Sequence, residues 1–528
     1  MIDPEYLLHS PCGKQWEKIG IKNHHGINIP LFSLHSENSH GIGEYTDLIP
    51  IIDWCKSIGF DVIQLLPLND TGLGNSPYSA ISAFALNPIY LSLQKLPYLD
   101  HYPKLLDELK ALPKFSNQGL IDYTKVREVK YQFLKHYYNE AKLSILTSQE
   151  FKVFVEDAQS WLLGYSVFIT LKIMFNWSRW EEWPPEYHNP TPELIAKVAK
   201  EHFEDVEWLI VIQYLCDKQM TDVKAAAERN QVLLMGDIPI LIDRESADVW
   251  LNRSLFNLSY SAGAPPDQYS SDGQSWGFPT YNWEVIEMDN YSWWLRRIKF
   301  ASRYYHLIRI DHVVGFFRIW SVPVGHSPKD GVFIPIDQNT WIDHGQRIML
   351  MMINGSDMLL IGEDLGVIPP EVRKCLTALG ICGTRVMRWE RNWNGDRNFI
   401  SPQNYQIDSL TTVSTHDSET LPQWWRDHPD EAKVYADFKG WSYHPNISRD
   451  NLKEILWDSH HSSSLFHINL LNEYLSLIPG LSHPTLEEER INIPGIVTDT
   501  NWTYRFVPTV EELISNATLK NMMEQVIL

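Results

Sequence analysis

The sequence has few cysteines, no long apolar run and no excess of basic residues, and each shortage excludes a class of protein. Its five cysteines in 528 residues show no C-x-x-C spacing, which is typical of reduced thiols in a cytosolic protein and offers no structural zinc site. The longest apolar stretch, Trp161 to Phe175, contains Lys172 and is too short to span a bilayer, so it is predicted to be a core helix. The N-terminus lacks a basic start followed by an apolar run, so no secretion signal is expected and the predicted location is cytoplasmic.

The charge balance argues against binding to polyanions. Lysine and arginine number 45 against 66 aspartate and glutamate, which gives a formal net charge of −21. Nucleic acids and anionic lipid surfaces attract basic patches, so neither nucleic acid nor membrane is expected as a partner. A neutral substrate such as a sugar remains compatible with this charge.

Aromatic residues, in contrast, are abundant. The chain has 21 Trp, 24 Tyr and 20 Phe. Flat aromatic faces stack on the apolar C–H patches of sugar rings, although a large core also uses aromatic side chains. The composition therefore favours a saccharide ligand without assigning any single tryptophan to it.

Short apolar runs recur along the chain and are separated by helical patterns. Continuous apolar runs, as opposed to alternating ones, indicate strands buried on both faces, as in parallel β/α units. Eight such runs favour a (β/α)8 TIM barrel over an open doubly wound sheet. The predicted strands begin near Ile27, Asp61, Gln231, His306, Asp357, Gly383, Leu410 and Ser464.

The stretch 98–230 lacks the alternation of apolar strands and helices seen elsewhere in the chain, and its pattern predicts helices. One helix is predicted to begin after Thr191, which can cap it, with Pro192 in the first turn. The chain is therefore divided into 1–97 (barrel strands 1 and 2), 98–230 (a mainly helical insertion subdomain) and 231–528 (barrel strands 3 to 8). Within the last part, the Gly-, Pro- and Ser-rich segment near 262–283 is predicted to be a lid loop over a cleft.

Four predicted strands end in acidic or histidine side chains, and the carboxyl ends of barrel strands are where active-site groups meet. In Arg309-Ile310-Asp311-His312, positions 309 and 311 share one face of the strand. A neighbouring arginine stabilises an aspartate as a charged nucleophile, whereas a purely structural ion pair is the alternative. The strand-end residues are Asp237, Asp311, Glu363 and the pair His416-Asp417.

Glu363 closes the strand that follows Asp311. If the two carboxyls face each other across a dry cleft, charge repulsion and desolvation raise the pKa of Glu363, so that it can donate a proton to a leaving oxygen. Glycoside cleavage requires at least two carboxyl groups with different pKa values, one protonated and one charged. The adjacent Asp364 is expected to serve as a helix cap or as a hydrogen-bond acceptor behind the site.

The third acidic element is Ser414-Thr415-His416-Asp417. Asp417 is predicted to accept hydrogen bonds from sugar hydroxyls, and these bonds strengthen as the ring becomes oxocarbenium-like. His312 and His416 are natural donors to such hydroxyls, with satisfied core histidines as the alternative. A divalent metal held by Asp311, Glu363, Asp417 and the two histidines is a further alternative, but no H-x-H pair or H-E-x-x-H helix is present and Arg309 would repel the ion.

Two loops supply possible sugar contacts. In N-S-P-Y-S-A, Tyr78 can stack on a sugar ring while Ser76 bonds hydroxyls, and Asn87 a few residues later can do the same. The predicted lid carries aromatic side chains that either contact a ligand or dock the loop onto the body. They are Tyr269, Trp276, Tyr281 and Trp283.

Taken in order, these elements resemble the amylomaltase and disproportionating-enzyme family of glycoside hydrolases. The resemblance covers most of the chain, and many of its motifs are specific. They are G-I-G-E-Y-T-D-L from Gly41, L-P-L-N-D-T-G, N-S-P-Y-S-A, G-D-I-P-I, the P-P-D loop, R-I-D-H, G-E-D-L-G, T-H-D, R-I-N-I-P-G and N-W-T-Y-R.

The resemblance implies a retaining 4-α-glucanotransferase with Asp311 as nucleophile, Glu363 as acid/base and Asp417 as transition-state stabiliser. It implies neither metal nor organic cofactor, and maltooligosaccharides as substrates. Further binding residues implied by the family are Arg309, His312, His416, Asp237 and Tyr78 around the cleaved glucose, and Gln274 and Trp276 in a lid on the acceptor side.

The chain also departs from many bacterial members. V-V-G-F-F-R-I-W after R-I-D-H and the segment G-F-P-T-Y-N-W are similar to the plant cytosolic disproportionating subgroup, which implies maltose as donor and a glycogen-like glucan as acceptor. No starch-binding module of that subgroup is expected within these 528 residues. Gln268 replaces a usual aromatic residue and Ile496 a usual threonine, which affects the preferred substrate length. An α-glucan hydrolase with the same residues, or an inactive glucan-binding protein, remains an alternative at this point.

Overall fold

The computed structural model describes residues 4–115, 119–266, 271–393 and 395–528. Strands in these ranges are β1 His24–Ile29, β2 Val62–Leu65, β3 Leu233–Ile238, β4 Phe256–Ala264, β5 Gln274–Tyr281, β6 Leu307–Ile310, β7 Ile319–Pro323, β8 Val332–Ile334, β9 Leu359–Gly362, β10 Gly383–Val386, β11 Ser409–Thr412 and β12 Phe466–Leu470. Helices are α1 Gly13–Ile19, α2 Leu48–Ile58, α3 Pro103–Ala111, α4 Tyr123–Thr147, α5 Gln149–Asp157, α6 Leu162–Met174, α7 Pro192–Glu201, α8 Phe203–Asn230, α9 Ala247–Leu251 and α10 Trp283–Met288. The remaining helices are α11 Ser292–Ala301, α12 Trp341–Gly355, α13 Pro370–Leu379, α14 Leu421–Asp427, α15 Pro429–Lys439, α16 Arg449–His460, α17 Leu471–Leu475, α18 Val510–Ser515 and α19 Ala517–Ile527.

Eight parallel strands form a closed barrel. Their order is β10-β11-β12-β1-β2-β3-β6-β9, and every pairing within it is parallel. The two ends of this order meet where the N–H of Gly362 donates to the carbonyl of Cys382 at 2.7 Å. All eight strands predicted from the apolar runs are present, so the predicted TIM barrel with helical insertions is confirmed.

Burial on both faces explains why the barrel strands read as continuous apolar runs. Every residue of β2, Val62–Leu65, is buried, because its inward side chains fill the barrel and its outward ones meet helices. α2 precedes β2 and is followed by Gly59, whose φ of 98° ends the helix and turns the chain back towards the sheet.

The described residues between β2 and β3 are mainly helical, with α3 to α8 in sequence. Thr191 caps α7 by accepting a hydrogen bond from the N–H of Leu194, as predicted, and α6 is the predicted core helix. α8 is bonded to the segment that follows β2, because Gln213 exchanges two hydrogen bonds with the backbone of Leu86 at 3.0 and 2.9 Å. The division at 97 and 230 into separate subdomains stays a prediction.

The predicted lid near 262–283 is largely β-structure, which corrects the expectation of a loop. β4 and β5 pair antiparallel, and β7 and β8 extend them to a sheet of order β5-β4-β7-β8. In the first half of β5, partly buried Gln274, Trp276 and Phe278 alternate with exposed Ser275 and Gly277, as in a half-buried strand. Pro279 is tolerated because β5 lies at the sheet edge. Gln268 and Tyr269 lie outside the described residues.

No helix in the described ranges combines the length and apolarity needed to cross a bilayer. Most of the stretch from Trp161 to Phe175 is α6, which is packed in the core as predicted.

A group of three histidines lies at the amino ends of β1 and β12, opposite the end where the acidic residues meet. His467 of β12 and His460, the last residue of α16, are buried, and His25 of β1 is partly buried. Nδ1 of His25 lies 2.9 Å from Nδ1 of His460, and the ring of His467 stacks on that of His25 at 5.0 Å. Burial lowers the pKa of His25 to about 4 and that of His467 to about 3. Asp61 partly offsets the shift at His25, while His24, His461 and Lys22 add to it.

These histidines are expected to make the fold acid-labile. Their folded pKa values lie below the unfolded value of 6.5, so the unfolded chain binds the extra protons and the free energy of unfolding falls as pH drops below 6.5. For His467 the loss approaches a value on the order of 4 kcal/mol near pH 3. Urea unfolding at stepwise pH values should show a steeper acid loss in wild type than in H467Q. The exposed control H9N should match wild type, and equal slopes for H467Q and wild type would contradict the prediction.

Candidate active site

The predicted strand-end residues meet at the carboxyl end of the barrel. Asp237 is the penultimate residue of β3, Asp311 follows β6 and Glu363 follows β9, and these three strands are neighbours in the sheet. His416 and Asp417 follow β11, and Asp417 lines the same cleft from another part of the barrel wall. The parallel direction of the strands thus brings together side chains that are far apart in sequence.

Arg309 is the hub of the acidic cluster. Its Nη1 donates to Asp237 Oδ2 at 2.7 Å and to Asp311 Oδ1 at 3.1 Å, while Nη2 lies 4.0 Å from Glu363 Oε2. One guanidinium that reaches both Asp311 and Glu363 keeps their facing oxygens less than about 10 Å apart, an upper limit compatible with a pair of glycosidase carboxyls. The carboxylate of Asp311 is therefore fixed in orientation while 26 % of its side chain stays exposed to the cleft.

Glu363 is held more deeply, with its side chain 13 % exposed. The backbone N–H groups of His312 and Leu365 donate to its two oxygens at 2.8 and 3.0 Å. Burial raises the pKa of Glu363 to about 7, with Asp311 adding to the shift and Arg309 and the two N–H groups opposing it. A carboxyl with this pKa can both give and take a proton near neutral pH.

His312 adopts a left-handed backbone conformation, with φ of 45° and ψ of 52°. This conformation is uncommon for a residue with a side chain. It allows the N–H of His312 to bond to Glu363 while its ring meets Trp276 edge-on, with ring centroids 5.2 Å apart. Burial lowers the pKa of His312, which favours the neutral ring.

Asp237 and Tyr78 form the floor beside Arg309. The Tyr78 hydroxyl donates to Asp237 Oδ2 at 2.7 Å, and the side chain of Asp237 is fully buried. Burial raises the pKa of Asp237 to about 6 although Arg309 opposes the shift. The Tyr78 ring stacks on His416 with centroids 5.3 Å apart, so its position is set from both sides.

Asp417 is the acidic residue of the site whose charged form is stabilised, so that its pKa is lowered. Partial desolvation by the cleft walls opposes its charge, but Nε2 of His416 at 3.3 Å and the amide of Asn492 at 2.6 Å outweigh it, and the pKa of Asp417 falls to about 2. Asp417 in turn raises the pKa of His416 against the effect of burial. Its side chain is 46 % exposed, so a charged carboxylate faces the cleft.

The cleft has a volume of about 750 Å³, enough for several sugar rings in a groove. Gln274 and Trp276 of β5 line it, and the indole N–H of Trp276 donates to Gln274 Oε1 at 2.9 Å. The second sheet therefore covers one side of the cleft. Also lining the cleft are Tyr78, Pro239, Ile240, Leu241, Gly273, Ser275, Phe278, Asp311, His312, Glu363, Asp417, Asn492, Pro494, Gly495 and Trp502.

Five of the predicted binding residues do not line the cleft: Ser76, Asn87, Arg309, Asp237 and His416. The last three contact lining residues, namely Asp311, Tyr78 and Asp417. Asn87 is buried, its amide donates to Thr71 Oγ1 at 3.2 Å, and its side-chain oxygen accepts from the N–H of Ile89. The Ser76 hydroxyl accepts from the N–H of Tyr78 at 3.3 Å and thereby shapes the turn. Both residues act on the loop that carries Tyr78, and neither faces the cleft.

Two other predicted residues have supporting positions. Asp364 is buried and accepts hydrogen bonds from Arg385 and from the N–H of Thr384, so it ties β9 to β10 behind the site. Tyr281 is buried and donates to the carbonyl of Ile240 at 2.9 Å, so the base of β5 is docked on the barrel.

Asn492 and Trp502 were not predicted as site residues. They lie beyond the last barrel strand, and the chain folds back so that Asn492 bonds to Asp417 and the Trp502 ring contacts Tyr78 and His416 at centroid distances of 5.6 and 5.9 Å. The motifs R-I-N-I-P-G and N-W-T-Y-R were the available signal, but strand-end reasoning does not reach this segment.

In the described part of the chain, no group of three or more His, Cys, Asp or Glu is arranged to hold a metal ion. The cation that contacts Asp237 and Asp311 is the guanidinium of Arg309.

Comparison with known proteins gives a consistent result along the whole chain. The family model described as 4-alpha-glucanotransferase matches residues 29–509. The 4-alpha-glucanotransferase of Chlamydia pneumoniae is 43 % identical over 524 residues, which cover 99 % of each chain. The 4-alpha-glucanotransferase DPE2 of Oryza sativa is 26 % identical, over 95 % of this chain and 69 % of its own.

Solved structures show the same fold at lower identity. Amylomaltase from Streptococcus agalactiae, in complex with acarbose, superposes with a TM-score of 0.80 at 23 % identity and covers 96 % of this chain and 98 % of its own. Amylomaltase from Corynebacterium glutamicum gives a TM-score of 0.78 at 20 % identity, over 98 % of this chain and 76 % of its own.

Proposed function

This chain belongs to the 4-alpha-glucanotransferase family, and we propose that Asp311 and Glu363 carry out its glucan transfer by a retaining double displacement. The family membership predicted from the motifs is thereby confirmed, and the chain is an enzyme that transfers α-1,4-glucan between saccharides. The family match favours the transferase over the two alternatives, an α-glucan hydrolase and an inactive glucan-binding protein.

In the first step, Asp311 Oδ attacks the anomeric carbon while the proton on Glu363 moves to the departing 4-oxygen. The bond from the anomeric carbon to that oxygen breaks, and a glycosyl ester of Asp311 forms. Support comes from the single arginine that contacts Asp311 and lies 4.0 Å from Glu363, and from the pKa of about 7 that burial gives Glu363.

In the second step, the 4-hydroxyl of an acceptor sugar attacks the same carbon and gives its proton to Glu363. The ester bond breaks and an α-1,4 linkage forms again, so donor and acceptor chains exchange length. We assign Asp417 to the sugar hydroxyls, because its carboxylate stays charged with a pKa of about 2 and is open to the cleft. It stabilises the oxocarbenium-like state by accepting hydrogen bonds.

Transfer requires that a sugar reach the ester faster than water at about 55 M, so the acceptor side must concentrate hydroxyls and limit water. We assign this task to Gln274 and Trp276, which form one wall of the cleft. Arg309, His312, His416, Asp237 and Tyr78 are assigned to the subsite of the cleaved glucose.

We further propose maltose as a donor, a glycogen-like glucan as an acceptor, and a reducing cytoplasm as the location. All five cysteines are buried and unpaired, which suits a reducing compartment. The plant relative DPE2 and the motifs shared with its subgroup support the choice of sugars.

Product analysis with maltotriose tests the transfer activity. The expected result is a ladder of glucose, maltose and longer maltooligosaccharides that grows without net release of reducing ends. Chromatography of a time course resolves the ladder, and a parallel reducing-end assay measures hydrolysis. Maltose and glucose alone, with a matching rise in reducing ends, would identify a hydrolase instead.

A further inference from the structure

Glu473 is a buried carboxylate that the double displacement does not use. It lies in α17, immediately after β12, and its side chain is 0 % exposed. The Ser414 hydroxyl donates to its Oε1, and the N–H of Leu421 donates to Oε1 at 2.9 Å and to Oε2 at 3.2 Å. These two donors lie at opposite ends of one short segment.

That segment, residues 414–421, is here named the Asp417 loop. It leaves β11, carries His416 and Asp417 at its tip, and ends at the first residue of α14. Its turn is closed by the hydroxyl of Ser418, which accepts from the N–H of Thr415 at 2.9 Å. Thr420, the residue before α14, makes no side-chain capping bond, so Glu473 provides the acceptor that the start of α14 lacks.

We propose that Glu473 is a positioning residue of the active site, which joins both ends of the Asp417 loop and so fixes the carboxylate of Asp417 against the sugar. The inference rests on the role in transfer proposed above for Asp417. Glu473 touches no cleft-lining atom through the hydrogen bonds described, so it acts through the loop and not on substrate.

A carboxyl group suits this task because both of its oxygens can accept hydrogen bonds. Burial raises the pKa of Glu473 to about 7, and the bonds from the Ser414 hydroxyl and the N–H of Leu421 oppose that shift by favouring the charged form, which accepts from both ends of the loop. A glutamine at 473 keeps one acceptor oxygen and places an NH2 group beside either the N–H of Leu421 or the Ser414 hydroxyl. One end of the loop then loses its bond or is pushed away. A displacement of about 1 Å at a catalytic group can cost up to ~100-fold in rate.

The inference is tested by combining E473Q with D417N and measuring kcat and KM for maltotriose disproportionation. D417N alone is expected to lower kcat by about 10³-fold. E473Q alone is expected to lower kcat by about 10-fold or more with KM changed less than about threefold. In the D417N background, E473Q should lower kcat by less than about threefold, because the group through which it acts is already lost.

D248N is the matched control. Asp248 is also a buried carboxylate that accepts one backbone N–H, from Ala83 at 2.7 Å, and one side-chain donor, from Trp293 at 2.9 Å, but it does not contact the Asp417 loop. Thermal unfolding should show losses in both E473Q and D248N. Only E473Q should reduce kcat at a temperature where both variants are folded.

The outcomes separate the two proposals. If D417N keeps the wild-type kcat, the role assigned to Asp417 in the proposed function is refuted. If D417N loses activity but E473Q lowers kcat equally in both backgrounds, or leaves it unchanged, the positioning role alone is refuted. Should E473Q not fold, S414A removes the bond at one end of the loop. A kcat loss that disappears in the D417N background then supports the role, while an additive or absent loss overturns it.

Discussion

Replacing Asp311 by asparagine is expected to lower kcat for maltotriose disproportionation by about 10⁴-fold or more. Asparagine has the same shape and can still accept the hydrogen bond that Arg309 gives at 3.1 Å, but its amide cannot form the glycosyl ester. The chemical step is lost while the cleft is preserved. Disproportionation rates from chromatography, with protein concentration fixed by absorbance, measure the effect.

Binding and stability provide the controls for D311N. Isothermal titration with maltotriose should give a Kd within a few-fold of that of an inactive E363Q enzyme, because neither variant turns the ligand over. Thermal unfolding should shift little, since 26 % of the Asp311 side chain is already exposed. A folded D311N enzyme with kcat within about 10-fold of wild type would show that another group is the nucleophile.

D311A provides a second observation on the same residue. With α-maltosyl fluoride as donor and azide as external nucleophile, the space left by the carboxylate allows direct attack on the anomeric carbon. The product is then expected to be β-maltosyl azide, with inverted configuration, because one displacement replaces two. Proton NMR of the anomeric signal distinguishes this product from the α form.

The barrel and its acidic centre could be predicted because they depend on local patterns. Each barrel strand is a continuous apolar run, since it is buried on both faces, and parallel strands must end on the same side. Asp237, Asp311 and Glu363 therefore converge once the strands are recognised. The pairing of Arg309 with Asp311 followed from the alternation of side chains along one strand, and the structure adds that Asp237 shares the same guanidinium.

The features that could not be predicted depend on contacts between segments far apart in the chain. Asn492 and Trp502 reach the cleft because the segment after the last strand turns back over the barrel mouth, and no local pattern encodes that path. The sequence predicts a loop for the lid segment because its Gly and Pro content hides β5. The sheet is completed by β7, which pairs with β4 and follows in the chain only after the barrel strand β6. Asn87 was expected at the substrate, but its polar atoms are already used inside its own loop.

Glu363 is proposed to protonate the leaving oxygen, so its replacement is expected to affect donors according to whether their leaving group needs a proton. E363Q should lower kcat for maltotriose by about 10³- to 10⁴-fold, because the 4-oxygen then departs without a proton. With α-maltosyl fluoride, whose leaving group needs no proton, formation of the glycosyl ester should remain within about 10-fold of wild type. Stopped-flow or electrode measurements should show a burst of fluoride release as the ester forms, followed by a slow phase because the second step lacks its base.

Azide distinguishes the acid/base role from the nucleophile role. In E363A the ester on Asp311 still forms from α-maltosyl fluoride, and azide attacks it without base assistance, so the product should be α-maltosyl azide with retained configuration. The variant at 311 gives the β form under the same conditions. Identical anomers from both variants would contradict a double displacement at these two carboxyls.

The pH dependence of the wild-type enzyme follows from the same carboxyl. Burial raises the pKa of Glu363 to about 7, and the first step needs its protonated form, so kcat/KM for maltotriose should fall as pH rises through about 7. Asp417 does not contribute to this limb, because its pKa of about 2 leaves it charged throughout. The basic limb should vanish when E363Q is assayed for fluoride release from α-maltosyl fluoride, since no proton is then required. A limb that persists in E363Q would place the titrating group elsewhere.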